Sequence, residues 1–398
     1  MARNAAILLL CFVLCTILSG CWNRRELNEL AICVGLGLDK AEGGYQVTVQ
    51  LVNPGEVASK KSSTRAPVIT FTEKGTTVFE AFRRMTTFSP RKIYFSHLRT
   101  LIIGEELARS GISEALDIVT RDHEFRSDFY VVVAKHTSAS KVLEVLTTVD
   151  KIPAIKLFSS LTTSQKVWAP TATVKLDELI TDLTSMGKQA VLSTIEIVGK
   201  PEQMNREKNA DYIAPPTQLK YTGLGVFKSD KLIGWLGEQD SKSYNFIVNK
   251  VENTVVPLNC PDGGVLTLEA IRTTTQIKGY IENNQPKAKV IVRLEDNVSE
   301  VECHFDLTKP ENIEQLQQIA NEHVKSLLGT TIQKVQSKYQ VDIFGFGEAI
   351  HRADPKMWTQ LKEDWDQHFS TMEVIVESDV RIRRLGTVNN SFLEKLSH

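Results

Sequence analysis

The amino-acid sequence predicts an α+β fold: a multidomain, mixed α/β ectodomain whose C-terminal domain is an antiparallel sheet with long helices on one side. Strand-like segments with alternating or continuous apolar residues recur along the chain, and segments with the apolar period of helices lie between them. A polar, proline-flanked stretch at residues 199–216 interrupts both patterns and marks a domain boundary. The 398 residues, 42% hydrophobic and 24% charged, suffice for several domains with hydrophobic cores.

Residues 1–20 are typical of a secretory signal, because Arg3 supplies a positive charge and residues 5–18 form a short apolar run. Residues 18–21, Leu-Ser-Gly-Cys, match the lipobox of bacterial lipoprotein precursors: an apolar residue, two small residues and a thiol. We therefore expect cleavage before Cys21 and lipidation of its thiol, and two acyl chains give stable anchoring. An uncleaved signal anchor with an incidental cysteine is the alternative. No later apolar run reaches the length of a membrane span.

The N-terminal α/β region is predicted over residues 21–200. It opens with a β-hairpin around the turn at residues 42–44, and a helix begins at Thr77, where Glu80 completes a capping box. The later predicted strands are 96–103, 128–135 and 192–198, and the later predicted helices are 105–122, broken at Gly111, and 176–186.

Residues 201–216 are the predicted linker, and residues 217–390 the predicted C-terminal α+β domain. It opens with a hairpin at residues 225–236, and a capping box at Thr308 and Glu311 begins a long helix. The other predicted elements are strands at 266–280, 289–294 and 372–383 and a helix at 355–369. Antiparallel strands with helices gathered on one side make an α+β domain.

The mature chain keeps three cysteines besides the lipidated one, and their spacing does not repeat, so no disulfide framework is predicted. Cys33 lies in an apolar strand-like run and is interpreted as a small core residue. A single bridge between Cys260 and Cys303 stays open.

No constellation of catalytic residues occurs in the sequence. The eight histidines are scattered, and HExxH, GxSxG, CxxC and Walker motifs are absent. His97 is interpreted as a structural histidine in an apolar strand. We therefore predict that the protein is not an enzyme, with no catalytic, cofactor-binding or metal-binding residues and no cofactor. A formal net charge of −1 without a long basic stretch also excludes nucleic acid as a partner.

Residues 342–358 are the densest unusual cluster, with two glycines, two phenylalanines and several charged residues between predicted helices. This segment is interpreted either as a binding loop or as an elbow between helices. In the elbow, which we favour, the phenylalanines are buried and Glu348 or Arg352 satisfies backbone groups.

The chain resembles the Ger(x)C lipoproteins, the C subunits of nutrient germinant receptors in spore-forming bacteria. Taken in order, the markers are Cys21-Trp22, Arg25-Glu-Leu27, Gly35-Leu-Gly-Leu-Asp39, Pro90-Arg-Lys-Ile-Tyr-Phe-Ser-His97, Gly104-Glu-Glu-Leu-Ala108, Arg121-Asp122, Val131-Val-Val-Ala134, Gly223-Leu-Gly-Val-Phe227, Gly234-Trp-Leu236, Phe344-Gly-Phe-Gly-Glu-Ala-Ile-His-Arg352 and Arg381-Ile-Arg-Arg-Leu-Gly386. Asn23 departs from the family, in which an acidic residue often follows the tryptophan.

The resemblance implies a lipoprotein on the outer face of the bacterial cell membrane, and in spores on the outer face of the inner membrane. It implies membrane-embedded A and B subunits as partners, the B subunit being similar to amino-acid permeases, and a complex that senses nutrients and triggers germination. It also implies three mixed α/β domains, so that residues 21–200 would divide into two subdomains. The alternative hypothesis is a solute-binding lipoprotein of a transporter, with two similar lobes around a cleft. A surface hydrolase has no motif to support it.

Overall fold

A computed structural model describes residues 27–58, 66–200, 213–261 and 263–386 of the chain, with residues 3–7, 9 and 202 in addition. The described residues form two β-sheets with helices packed against them. Within these residues, no helix combines the length and the apolar character that crossing a bilayer requires.

The first sheet contains nine strands and follows the order β3-β2-β1-β5-β6-β7-β8-β9, with β4 paired to the beginning of β1. The strands are β1 Leu30–Ala41, β2 Gly44–Val52, β3 Val68–Gly75, β4 Lys92–Tyr94, β5 Thr100–Ile103, β6 Tyr130–Ala134, β7 Val191–Gly199, β8 Thr217–Lys228 and β9 Lys231–Leu236. The central strands β1, β5, β6 and β7 are parallel, and β4 is parallel to β1. The remaining strands, β2, β3, β8 and β9, are antiparallel to their neighbours.

Helices cover both faces of the parallel strands. Those of the first half are α1 Pro54–Ala58, α2 Val78–Met85, α3 Glu105–Ser110, α4 Ser113–Arg121, α5 Ala139–Leu143, α6 Pro153–Val167 and α7 Leu176–Thr184. Ile103 of β5 belongs to the core formed with α3 and α4, whereas the adjacent Ile102 belongs to a second core formed with α5 and α6. Because both faces are buried, these strands are continuously apolar in the sequence.

The second sheet has the strand order β10-β11-β12-β13. Its strands are β10 Thr254–Asn259, β11 Val265–Glu282, β12 Gln285–Val301 and β13 Glu373–Arg384. The helices of this half are α8 Glu238–Ile247, α9 Pro310–Lys334, α10 Phe346–Ala353, α11 Pro355–Leu361 and α12 Trp365–Thr371, and a π-helical turn at Val335–Tyr339 continues α9. Leu294 and Val298 of β12 share a core with Leu316 and Ala320 of α9.

The predicted fold class is confirmed: the chain is α+β, and the C-terminal sheet is mainly antiparallel with helices. One pair departs from the prediction, because β13 returns parallel to β12 after the helices. The outer edge of β13 is covered by α9. Asn321 Oδ1 accepts a hydrogen bond from Val380 N at 2.9 Å, and Gln317 Oε1 accepts one from Ile382 N at 3.0 Å. These side chains occupy donors that an exposed edge would offer to another strand.

The nine-stranded sheet includes residues from both sides of the predicted linker at 201–216. Leu192 of β7 is paired with Gly225 of β8, so β8 and β9 extend the N-terminal sheet. Most of the linker, residues 203–212, lies outside the described residues, as do the predicted signal at 10–20 and the tail after residue 386. The predicted domain boundaries therefore stay predictions.

Two local predictions are wrong. Residues 96–99 form a turn closed by a hydrogen bond from Leu98 N to Phe95 O, so the strand begins only at Thr100. His97 is consequently exposed on the turn rather than buried in a strand. Thr308 donates its hydroxyl hydrogen bond to Asp306 and makes no capping box, and α9 begins at Pro310, whose fixed φ suits the first helical turn.

Among the described residues, the cysteines form one disulfide bridge and leave one buried free thiol. Cys260 and Cys303 form a disulfide across 43 residues of sequence, which settles the pairing that the sequence left open. Cys33 is completely buried and packs in the core, as predicted, and burial raises the pKa of its thiol.

Asp296 is a buried acid on the core face of β12, between Leu294 and Val298. Its side chain is 2% exposed, and its Oδ1 has no hydrogen-bond partner among the described residues. Burial in these apolar surroundings raises the pKa of Asp296 to about 7.

This raised pKa predicts a pH dependence of stability. The folded chain holds the Asp296 proton more tightly than the unfolded chain, in which an aspartate has a pKa of about 3.9. The free energy of unfolding therefore falls as the pH rises from about 4 to about 7, by at most about 4 kcal/mol, and the loss persists above pH 7. Asp296→Asn removes this titration. The melting temperature of the variant minus that of the wild type should therefore increase from pH 5 to pH 8. Parallel curves for the two proteins would contradict the prediction, and Asp177→Asn, at an exposed helical position, is the control.

Candidate functional site

A crevice of about 470 Å³ lies at the carboxyl ends of the parallel strands β1, β5 and β6. Open α/β sheets commonly bind ligands at this edge. The crevice is lined by Asp39, Lys40, Gln46, Glu105, Glu106, Arg109, His136, Thr137 and Ser138. Its capacity for ligands depends on how many of these groups are already engaged within the protein.

Asp39 is engaged at the start of α5. Its carboxylate accepts hydrogen bonds from Ala139 N at 2.7 Å and from Ser140 N at 2.9 Å. Gly104 makes this approach possible, since a Cβ at that position would lie 1.9 Å from Asp39 Oδ1. Burial raises the pKa of Asp39, and the two N–H donors counteract the shift. The helix end that would receive an anionic ligand is therefore occupied by a carboxylate of the chain itself.

Glu105 is engaged as well. It accepts hydrogen bonds from His136 N at 2.6 Å and from Arg109 Nε at 2.8 Å. Burial raises the pKa of Glu105, but these donors outweigh it and hold the pKa below its usual value. The Arg109 guanidinium also lies 5.7 Å from the ring centre of Trp235. Glu105 and Arg109 of the crevice are thus paired with each other.

Across the described residues, no group of three or more histidine, cysteine, aspartate or glutamate side chains is placed to hold a metal ion.

The second region is the segment at residues 342–358, and the structure shows that it is an elbow. Asp342, completely buried, stands just before α10. Its Oδ1 accepts hydrogen bonds from Phe344 N and Gly345 N, both at 2.9 Å. Its Oδ2 accepts hydrogen bonds from Gly347 N at 2.8 Å and from Trp365 Nε1 at 3.1 Å.

The carboxylate that satisfies the elbow backbone is thus Asp342, not Glu348 or Arg352 as the sequence suggested. Burial raises the pKa of Asp342 to about 6, while the four N–H donors lower it by stabilising the charged form. The phenylalanines are buried as predicted: the rings of Phe344 and Phe346 lie 5.3 Å apart and pack against Phe369.

The elbow also joins the two halves of the protein. Gln189 N, just before β7, donates a hydrogen bond to the carbonyl of Asp342 at 2.7 Å. The backbones of Gly187 and Gly347 are in direct contact. A Cβ on Gly347 would lie only 2.7 Å from the Cα of Gly187, so a side chain at this position would clash. Ser185 Oγ donates to Glu348 Oε1 at 3.3 Å. The loop between α7 and β7 is therefore seated on the elbow.

The predicted lipidation site, Cys21, lies outside the described residues. The structure resumes at Leu27, and β1 begins at Leu30. The elbow and the crevice share no residue: the crevice is lined by residues between 39 and 138, and the elbow lies at 342–358. Sequence reasoning missed the roles of Asp39 and Asp342. The available signal was an aspartate beside glycines, at residues 35–39 and 342–347.

Two family models match the chain. The model described as spore germination protein N-terminal domain matches residues 23–197, and the model described as spore germination B3/GerAC like, C-terminal, matches residues 222–386. Together they cover nearly all the described residues.

Curated relatives match over almost the whole chain. Spore germination protein KC of Bacillus subtilis strain 168 is 28% identical over 98% of each chain. Spore germination protein B3 of the same strain is 24% identical over 95% of this chain and 97% of its own. The crystal structure of the GerBC protein has a TM-score of 0.57 and 20% sequence identity, covering 87% of this chain and 96% of that one. At that identity the structural likeness shows the fold.

The elbow predicts a large effect from a small substitution. Asp342→Asn keeps the shape but replaces one acceptor oxygen with an NH2 group that faces two N–H donors. At pH 7.5 we expect it to lower the free energy of unfolding by about 3 kcal/mol, measured by urea denaturation. The matched control is Asp354→Asn, since Asp354 caps α11 and asparagine caps helices equally well. Equal losses in the two variants would contradict the role of Asp342.

Proposed function

Since the chain belongs to the Ger(x)C family of spore germination proteins, we propose that it is a non-catalytic lipoprotein subunit of a spore nutrient germinant receptor. The observation that carries the proposal is the order of the matches: a lipobox ends at Cys21, and the two family models follow it over residues 23–197 and 222–386. Relatives that match nearly the full length are named spore germination proteins.

The proposed role depends on attachment to a membrane. Lipidation of Cys21 would hold the folded ectodomain on the outer face of the bacterial cell membrane, and in the spore on the inner membrane. Tethering raises the effective concentration of the ectodomain beside membrane-embedded partners without any new contact. The partners we propose are the A and B subunits of the receptor, which together with this chain would trigger germination.

The engaged carboxylates support a role without catalysis. Asp39 and Asp342 direct their oxygens to backbone N–H groups of the chain, and Glu105 is paired with Arg109. A general acid or base needs an oxygen that is free to exchange a proton with a substrate. Both regions are therefore better suited to stabilising the fold than to performing a reaction.

The two sheets also favour a receptor subunit over a solute-binding lipoprotein. A solute-binding protein would have two similar lobes around a cleft. Here one sheet has nine strands with a parallel centre, and the other has four strands in a mainly antiparallel order. The two halves are not similar lobes.

The proposal predicts a germination defect that depends on one thiol. In a strain lacking the gene and any sister receptor, the wild-type chain should restore the nutrient-triggered loss of spore heat resistance. Cys21→Ala should fail to restore it, because the lipid cannot be attached. Cys15→Ala is the matched control: it removes a cysteine from the apolar run but leaves residues 18–21 intact.

Two results would count against the proposal. Normal germination of the deletion strain with every nutrient tried would contradict the proposed receptor role. Cys21→Ala could also restore germination fully while the protein stays bound to the membrane. That result would show that acylation is not the principal anchor, and it would leave the receptor role unaffected.

A further inference from the structure

The amino end of β1 is the point at which the proposed lipid tether meets the fold. Leu27 is separated from Cys21 by six residue steps, which span at most about 20 Å when fully extended. A short 3-10 turn, Leu27–Glu29, leads from there into β1 at Leu30. If Cys21 is lipidated as proposed, this end of the nine-stranded sheet stays close to the bilayer surface.

Strand register shows which other segments lie at the same end. Leu30 is paired with Lys92 in the parallel strand β4, so β4 begins beside β1. Cys33 is paired with Leu51 near the end of β2, and Val52 is paired with Val68 at the start of β3. The segments that follow β2, precede β3 and precede β4 therefore all lie at the amino end of β1.

Four exposed apolar side chains come from these segments and from the loop before α6. Val57 is 41% exposed, Ile69 51%, Phe88 42% and Val149 90%. We call these four residues the amino-end surface. Val57 follows β2, Ile69 is the second residue of β3, and Phe88 precedes β4.

Val149 belongs to the same end because its loop is fixed there on both sides. Leu146 and Ile152 flank it and pack in a small core with Val34 and Val68, near the starts of β1 and β3. Single exposed apolar residues are ordinary on a protein surface. Four of them from four segments, at the end that the tether holds, indicate a common apolar neighbour.

Charges of both signs occur at this end among the described residues. Arg91 and Lys151 are exposed there, Glu29 is exposed just before β1, and Asp150, beside Lys151, is half-buried. These described charges offset one another, so we place the binding on the apolar side chains, and the three basic residues within 60–65, between α1 and β3, would add attraction to anionic headgroups.

We propose that the amino-end surface rests on the lipid bilayer, with Phe88 and Val149 inserted at the level of the headgroups and upper acyl chains. The lipid on Cys21 and this surface then act as two anchors and fix the orientation of the ectodomain. The turn at Glu42 and Gly43 lies at the other end of β1, about 36 Å away for a strand of twelve residues, and faces away from the membrane. The inference rests on the proposed lipidation.

The test uses the full-length lipidated chain in phosphatidylcholine vesicles that contain a lipid with a quencher high on the acyl chain. An environment-sensitive fluorophore is attached at Val149→Cys and, in a second protein, at Phe88→Cys. Glu42→Cys is the control, and the one free cysteine among the described residues, Cys33, is buried and will not react. We expect lipid quenching at 149 and 88 to exceed that at 42 by at least about twofold, and aqueous iodide to show the reverse order.

Equal quenching at all three positions of a lipidated, vesicle-bound chain would overturn this inference and leave the proposed anchor intact. Stronger lipid quenching at 42 would overturn it as well, since the opposite end would then face the bilayer. A chain whose mass shows no acyl groups would overturn the proposed lipidation and, with it, the tether on which the orientation depends. Quenching at 149 and 88 in pure phosphatidylcholine that survives added salt is the result expected from an apolar contact.

Discussion

The buried carboxylate of Asp342 fixes the elbow that joins the two halves of the protein. A charged group without exposure to water is tolerated only if it is well hydrogen bonded, and Asp342 accepts four N–H donors. Those donors hold the elbow in a conformation in which Gly347 meets Gly187 without side chains between them. The loop before β7 of the nine-stranded sheet thereby packs on the elbow through backbone contacts. Such close contacts restrict movement of one half relative to the other.

Asp39 uses the same principle in the other half. Its carboxylate binds the start of α5 at the edge where an open α/β sheet would receive a ligand, and Gly104 leaves room for it. Both buried acids thus stabilise joints of the fold. A protein constructed in this way suits a role in which position matters more than turnover. The proposed lipid at Cys21 and the amino-end surface would supply that position.

Local patterns in the sequence predicted local structure well. The β1–β2 hairpin, the helix capped by Thr77 and the continuously apolar central strands follow from turn chemistry, capping and burial, which act over a few residues. Features set by distant partners were not predictable. Asp39 meets Ala139 across 100 residues, and the Asp342 carbonyl meets Gln189 N from the other half. At Thr308 the local signal was misleading, because the nearby Asp306 accepts the hydroxyl and Pro310 sets the helix start.

The central claim is that the elbow joins the two sheets into one cooperative unit. Differential scanning calorimetry of the full-length protein tests it most directly. We predict a single transition in which the calorimetric and van't Hoff enthalpies agree, because neither sheet can lose the junction without destabilising the other. Two separate transitions, with the C-terminal sheet and the nine-stranded sheet melting independently, would contradict it.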